Sequence, residues 1–355
     1  MKEIILTLDY ELFGNGKGDV FRHIVEPTQH IMKIAKRNNA HLTFFFEVVE
    51  YWRMKEEWER GNKMGYEQNP IAAMEKQILE AVREGHDVQL HLHPQWVDAQ
   101  WTEAGWVVDD TSHRLGHYSR EGEYSMVELL RKGKETLEQL ITPVKPYYHC
   151  TALRAGGYNA FPSDEIVKAM REVGMKMDTS IYPGGFAQGE IADYDYRTLP
   201  KDKGVWSVEN RLEEPTQGKT GIYELPICSL GITRWRKYAS WERVRNILSN
   251  AQQSQEFYAS KMSQTSHTKK SMTDKIKFLF EKECQTWDYC LLPEAVHNLF
   301  LAEMEKQTDR RYFTLVGHPK SYMGDQGYSF LLKTLNDNGY RFTTIQEILS
   351  NIEKD

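Results

Sequence analysis

The sequence predicts an α/β fold, a parallel sheet covered by helices, and three observations predict it. Apolar runs of strand length alternate with amphipathic stretches of helical period, helix-boundary signals fall between them, and polar residues gather where several runs stop. The apolar runs lie at 4–8, 42–48, 88–93, 147–153, 223–227 and 313–316, and the helical patterns at 26–37, 71–83, 126–141, 163–173 and 328–336. Right-handed crossovers between parallel strands make this a barrel or a doubly wound sheet. Ser163 ahead of Asp164 and Glu165 predicts a capped helix start, and Gly174 predicts that helix's end; Glu84-Gly85 closes the helix before the third run in the same way. Two segments break the repeat. Residues 95–146 and 232–311 are expected to be mainly helical insertions on one domain spanning 1–355, with a mobile Gln/Ser/Thr/Lys-rich middle at 249–270.

Composition narrows the function classes. The 355 residues are 40% hydrophobic and 27% charged, which suits a large core, and the formal net charge is −6. An acidic chain whose basic clusters are as short as Arg234, Arg236, Lys237 and Lys269, Lys270 is a poor nucleic-acid binder, and these clusters are expected to be solvated helix faces. The start MKEIILTLDYELFG has one lysine and a short apolar core cut by Asp9 and Glu11, too short and too acidic for a signal peptide, and no stretch has the length of a membrane span. The expectation is a cytoplasmic protein. Cys150, Cys228, Cys284 and Cys290 form no CxxC pair and are expected to be free, mostly buried thiols.

Four strand ends carry residues that could do chemistry, and the C-terminal edge of parallel strands is where α/β folds build sites. The first run ends in Asp9-Tyr10-Glu11; alternation places both carboxylates on one side, suited to a metal ligand and a general base. In the third run, Gln89, His91 and His93 share the face opposite Val88, Leu90 and Leu92, and a strand pointing two imidazoles one way before Pro94 is half of a metal site. His86 opens that strand and is expected to hydrogen-bond locally. The fourth run ends in Arg154-Ala155-Gly156-Gly157-Tyr158, where an arginine can hold a carboxylate and the glycines let backbone approach closely. The last run delivers His318, a candidate general acid. Tyr158, Trp96, Trp101 and Trp106 could offer a sugar a stacking surface, or could simply pack under the first insertion.

The order of TLDYE, GHDVQLHLHP, LRAGGY, YELPI and LVGHP resembles the motif series of polysaccharide deacetylases, the NodB-homology group of carbohydrate esterases, and Met177-Asp178-Thr179-Ser180-Ile181 resembles their Asp-Ser-Ser strand. The resemblance spans roughly residues 4–319. It implies a distorted (β/α)7 barrel and hydrolysis of an N-acetyl or related acyl group on a sugar. It makes Asp9 the base, Arg154 its orienting partner and His318 the acid. The family's metal-binding aspartate is replaced by Tyr10, so Glu11 is the carboxylate ligand of choice; His91 matches the first histidine of His-x-x-x-His, but Gln95 stands at the second, leaving His93 or Gln95 to complete the site.

The expected cofactor is a divalent metal, Zn²⁺ by preference, on Glu11, His91 and His93. The expected partner is an N-acylated sugar, nucleotide- or lipid-linked, in surface polysaccharide biosynthesis. Gly156 and Gly157 would supply a backbone N–H to the oxyanion, and Tyr158 and Trp96 would contact the sugar. A metal-free hydrolase of formamides or cyclic amides on the same barrel, and a non-catalytic carbohydrate binder, are the rival readings. Exchanging Asp9 or His318 is expected to cost activity and little stability.

Overall fold

The computed structural model describes residues 1–109, 111–238 and 280–354. Its centre is a ring of seven parallel strands. Six are joined edge to edge: β15 (Tyr312–Gly317), β1 (Glu3–Tyr10), β2 (Leu42–Glu47), β3 (Asp87–Leu92), β6 (Ala152–Ala155) and β7 (Met177–Asp178). The seventh, β12 (Tyr223–Glu224), pairs with β7, and its continuation closes the ring through a parallel bridge between Ile227 and Thr314. Above that bridge the seam opens. Residues 287–289 wedge in, with Trp287 N–H donating to Cys228 O and Tyr289 N–H donating to Val316 O. The barrel is therefore distorted at one seam, and that seam carries part of the site.

Alternation along the strands divides the core. Ile4, Leu6 and Leu8 face outward into the main cluster shared with the helices. Ile5, Phe45, Ala152, Met177, Tyr223, Leu225 and Tyr312 form a separate cluster with Ile345, Ile348 and Leu349 of the helix Ile345–Lys354. That helix plugs the N-terminal end of the barrel. Its first turn is tied to the strands by Thr43 Oγ1, accepting from Ile345 N–H, and by Asp87 Oδ2, accepting from Gln346 N–H. With one end plugged, the inward residues further along the strands, Thr7, Asp9, His91 and Arg154, are aimed at the open end.

The expected helices are present as α1 (Glu26–Arg37), α3 (Pro70–Arg83), α4 (Met126–Ile141), α5 (Asp164–Val173) and the helix Asp325–Asp337. Between α1 and α3 lies α2 (Val48–Glu59), which sequence periodicity missed. It starts on the last residue of β2, where Glu47 accepts from Val49 and Glu50 N–H as an N-cap, so strand and helix read as one apolar run. Gly174 and Gly85 close α5 and α3 with positive φ, as their positions predict. Ser163 does not cap α5; its hydroxyl donates to Glu213 and accepts from Leu212 N–H. The run at 147–153 becomes strand only from Ala152.

The segment 95–146, expected to be mainly helical, contains one α-helix, α4. The remainder is short 3₁₀ turns and the hairpin β4 (Gln100–Thr102) and β5 (Gly105–Val107), while α4 itself lies against β3 and α5 as one of the barrel's own helices. In the second segment β13 (Ser229–Thr233) and β14 (Lys282–Thr286) form an antiparallel ribbon, and the helix Glu294–Lys306 leads back into β15. The polar stretch 249–270 lies outside the described residues, as do Lys269 and Lys270. Cys150, Cys228 and Cys290 are buried free thiols, and Cys284 is a partly buried one.

Candidate active site

The open end of the barrel holds a cavity of about 370 Å³. Its floor is Asp9, Glu11, His93 and His318, and its walls include Gly156, Gly157, Tyr158, Thr286, Asp288 and Lys320. Two groups of side chains meet there.

The first is built on Asp9. Arg154 is fully buried and four of its five guanidinium N–H groups are engaged: Nη1 donates to Asp9 Oδ1 at 2.6 Å and to Thr7 Oγ1 at 2.8 Å, Nε to Thr179 O at 2.9 Å, and Nη2 to Thr179 Oγ1 at 3.1 Å. The Met177–Ile181 segment is what holds it. Ser180 Oγ accepts from Ala155 N–H and donates to Asp178, locking the neighbouring strand ends together. The Asp9 carboxylate thus has one oxygen committed to Arg154, while Oδ2 lies 3.4 Å from His318 Nε2. Burial pushes the Asp9 carboxyl up, but Arg154 and the nearby imidazoles outweigh it and hold the group well below the usual carboxylate range.

His318 is held from its other nitrogen. Nδ1 donates to Asp288 Oδ2 at 2.8 Å, and Asp288 Oδ1 in turn accepts from Cys290 and Leu291 N–H. Burial lowers the imidazolium pKa, yet the two carboxylates, Asp288 and Asp9, raise it to about 9. At neutral pH His318 is therefore a cation with a proton on Nε2 facing the cavity. Asp288 was not found from sequence. It sits in the irregular segment that wedges into the barrel seam, where no period or motif marks it.

The second group is Glu11, His91 and His93, whose donor atoms all lie within 4.8 Å of one another. His91 Nδ1 is 2.9 Å from Arg154 O. A carbonyl only accepts, so Nδ1 carries the proton and Nε2 presents its lone pair to Glu11 Oε2 at 3.5 Å. His93 Nε2 approaches the same oxygen to 2.7 Å. Neither Nε2 atom makes a hydrogen bond although both are buried, so the short His93 approach lacks hydrogen-bond alignment. Two buried imidazole nitrogens and one carboxylate oxygen converging without satisfying one another fit a divalent ion, and a His₂-carboxylate set suits zinc.

Asp9, Glu11 and His318 also bring donor atoms within 4.8 Å, but there Asp9 and His318 are already engaged by Arg154 and Asp288. Gln95 is not a donor to the cluster. Its amide lies 2.8 Å from His93 Nδ1 and 3.3 Å from Gly14 O, so it orients His93 from behind. Gly156 is required by the same ring: a Cβ there would stand 2.3 Å from His93 Nδ1.

Three buried carboxyls lie near this rim, and their surroundings set them apart. Glu47 and Glu50 are pushed up by burial and by neighbouring carboxylates, Glu50 to about 8. Glu11 also meets a burial penalty, but Lys320, His93 and His91 overcome it and hold it well below the usual range. Lys320 Nζ donates to Glu11 Oε1 at 2.8 Å and to Leu12 O at 2.6 Å. It follows His318 by two residues and was not singled out in the sequence.

The aromatic residues divide. Tyr158 lines the cavity, its hydroxyl 3.4 Å from Thr286 Oγ1, in a left-handed backbone conformation (φ 63°) that follows Gly157 (φ 60°). Trp96 does not reach it: it is 1% exposed and packs edge-on against Trp106, 5.4 Å between centroids, and Trp101 also meets Trp106 edge-on. The stacking role expected for Trp96 is corrected to core packing, because the turn after Pro94 directs the indole under the hairpin. His86 also differs from expectation: Nδ1 accepts from Leu42 N–H, across to the neighbouring strand.

No family model matches the chain, and no curated protein matches it either. Solved structures do resemble it. One assigned as a polysaccharide deacetylase from Mycobacterium smegmatis is 12% identical, with 99% of this chain and 90% of that one covered and a TM-score of 0.48. An allantoinase is 10% identical, with 98% and 88% covered and a TM-score of 0.45. A 4-alpha-glucanotransferase from Thermococcus litoralis is 11% identical, with 98% and 40% covered and a TM-score of 0.46. Several of the similar structures are polysaccharide deacetylases, and the likeness to them is one of fold; what the site can do rests on its own side chains.

Proposed function

We propose that this chain is a hydrolase that removes an N-acetyl or related acyl group from a sugar, with a divalent cation, zinc by the chemistry of its donors, held at Glu11, His91 and His93. The observation that carries the reading is the side-by-side placement of two differently poised groups. One is an ionised Asp9 facing a cationic His318; the other is a buried cluster of two imidazole Nε2 atoms and a carboxylate oxygen. The motif resemblance supplies the substrate class, an N-acylated sugar. A nucleotide- or lipid-linked precursor of a surface polysaccharide, met in the cytoplasm, completes the proposal.

A divalent ion bound there supplies positive charge that acidifies a water molecule and polarises a carbonyl oxygen. Asp9 accepts the proton of the attacking water on Oδ2, the oxygen that Arg154 leaves free. So depressed a carboxylate is a weak base, which suits only a water that is itself acidified. Arg154 fixes Asp9 in place, its guanidinium held in turn by Thr7 and Thr179. When the C–N bond breaks, the leaving nitrogen takes the Nε2 proton of His318. The 3.4 Å between His318 Nε2 and Asp9 Oδ2 then lets the proton gained by Asp9 pass to His318, restoring both groups. The turn Gly156–Tyr158 brings backbone to the cavity wall, where an N–H can meet the oxyanion, and Tyr158 offers a ring face to the sugar.

The test is release of acetate and free amine from a panel of N-acetylated sugars and sugar nucleotides, before and after chelation. Equimolar release that is lost on chelation and restored by Zn²⁺ supports the reading. Activity on a formamide or cyclic amide that survives chelation replaces it with a metal-free hydrolase, and sugar binding without release replaces it with a binding protein. No helix among the described residues is long and apolar enough to cross a membrane.

A further inference from the structure

We infer that Lys320 is a positioning residue that restricts Glu11 to one-oxygen contact with the cation. This inference rests on the metal reading above and says what shapes that centre.

The geometry is specific. Glu11 is buried and its two oxygens face different partners: Oε2 the His91 and His93 nitrogens, at 3.5 and 2.7 Å, and Oε1 the Lys320 ammonium at 2.8 Å. Lys320 is itself anchored, since Nζ also donates to Leu12 O at 2.6 Å, and it springs from the turn Pro319–Ser321 at the end of β15. The other side of Leu12 is pinned too, its N–H donating to both oxygens of the buried Glu50. The residue after Glu11 is therefore clamped at both its N–H and its C=O, and the carboxylate cannot rotate to present both oxygens to the imidazole side without breaking the Lys320 contact.

A carboxylate free to chelate takes two positions on an ion; one whose second oxygen is held by an ammonium takes one. A bound ion would then take one carboxylate oxygen instead of two, which would leave room for the water or substrate that a hydrolytic centre needs. The ammonium also draws charge from the carboxylate, so the ion keeps more of its own.

Co²⁺ titration tests this without a substrate, because the intensity of its visible d–d absorption falls as coordination number rises. The expected result is strong absorption in the wild type, clearly weaker absorption in Lys320→Met at full Co²⁺ occupancy, and an unchanged spectrum in Lys320→Arg, which keeps a cationic donor. Lys320→Gln, which can still donate to Leu12 O, replaces the Met variant if circular dichroism shows that one unfolded. Co²⁺ binding with the same spectrum in wild type and Lys320→Met overturns the role of Lys320 and leaves the metal reading standing. A wild-type protein that binds no Co²⁺ overturns both.

Discussion

The two sides of the candidate site are built differently. Asp9, Glu11, His91 and Arg154 project from the ends of β1, β3 and β6, where strand alternation alone decides which side chains meet. Asp288 comes from irregular backbone wedged into the seam of the barrel, and Lys320 from a single 3₁₀ turn; hydrogen bonds, rather than a pleat, hold them. Their targets differ as well. The strand side supplies the proposed base and the candidate ligands, while the seam side tunes the site: Asp288 raises His318, and Lys320 helps hold Glu11 ionised. The barrel thus presents the chemistry, and the seam adjusts it.

Breaking the strand side should cost most. Asp9→Asn removes the proposed base and His318→Ala the proposed acid, and each should lower turnover by roughly 10²–10⁴-fold. The two separate in stability. Asp9 and Arg154 are a buried ion pair, so Asp9→Asn leaves a guanidinium without its counterion and should cost up to roughly 3–5 kcal/mol in denaturant unfolding. The buried ion pair revises the expectation that both exchanges cost little stability: Asp9→Asn is now expected to cost more than His318→Ala. Equal stability of Asp9→Asn and wild type would show that Thr7 and Thr179 suffice to hold Arg154.

Asp288→Asn should act less on rate, by about 10²-fold, and more on pH. His318 is raised to about 9, so activity that needs its proton is complete at neutral pH and falls as pH rises through about 9. The stability contributed by the same shift runs with the same sign: it is fully present below the ordinary histidine value near 6.5 and disappears as pH passes 9. Without Asp288, the alkaline limb of kcat/KM should move toward lower pH. An alkaline limb that stays in place would assign it to a group other than His318.

The smallest effect on activity belongs to Trp96. Its indole is buried against Trp106 and outside the cavity, so Trp96→Phe should leave KM and kcat within about twofold while lowering stability by roughly 1–3 kcal/mol. A raised KM with unchanged stability would restore the sugar contact that the sequence suggested.

The same division explains what could be read from the sequence. Strand ends obey a two-residue period, so the pairing of Asp9 with Glu11 and of His91 with His93 is visible in the chain, as is Arg154 near the end of β6. Two residues escaped and the role of a third, Gln95, stayed open for physical reasons. Asp288 gains its meaning only from the closure of the barrel between Cys228 and Val316, a contact between residues distant in sequence. Lys320 reaches back to Glu11 over 309 positions. Gln95 looked like a misplaced ligand because spacing cannot tell a side chain that binds an ion from one that orients its neighbour. The fold was legible where period and boundary signals agreed, as at Gly174. It was obscured where a strand ran directly into a helix at Glu47, and where the final helix turned to plug the barrel.

In the proposed centre Glu11, His91 and His93 hold a cation while Asp9 and His318 do not. Elemental analysis of the purified protein tests it most directly. One divalent ion per chain is expected in the wild type and in Asp9→Asn, and its loss in a folded His91→Ala variant. A wild-type protein that is fully active and metal-free would contradict it, as would an ion retained in His91→Ala but lost in Asp9→Asn.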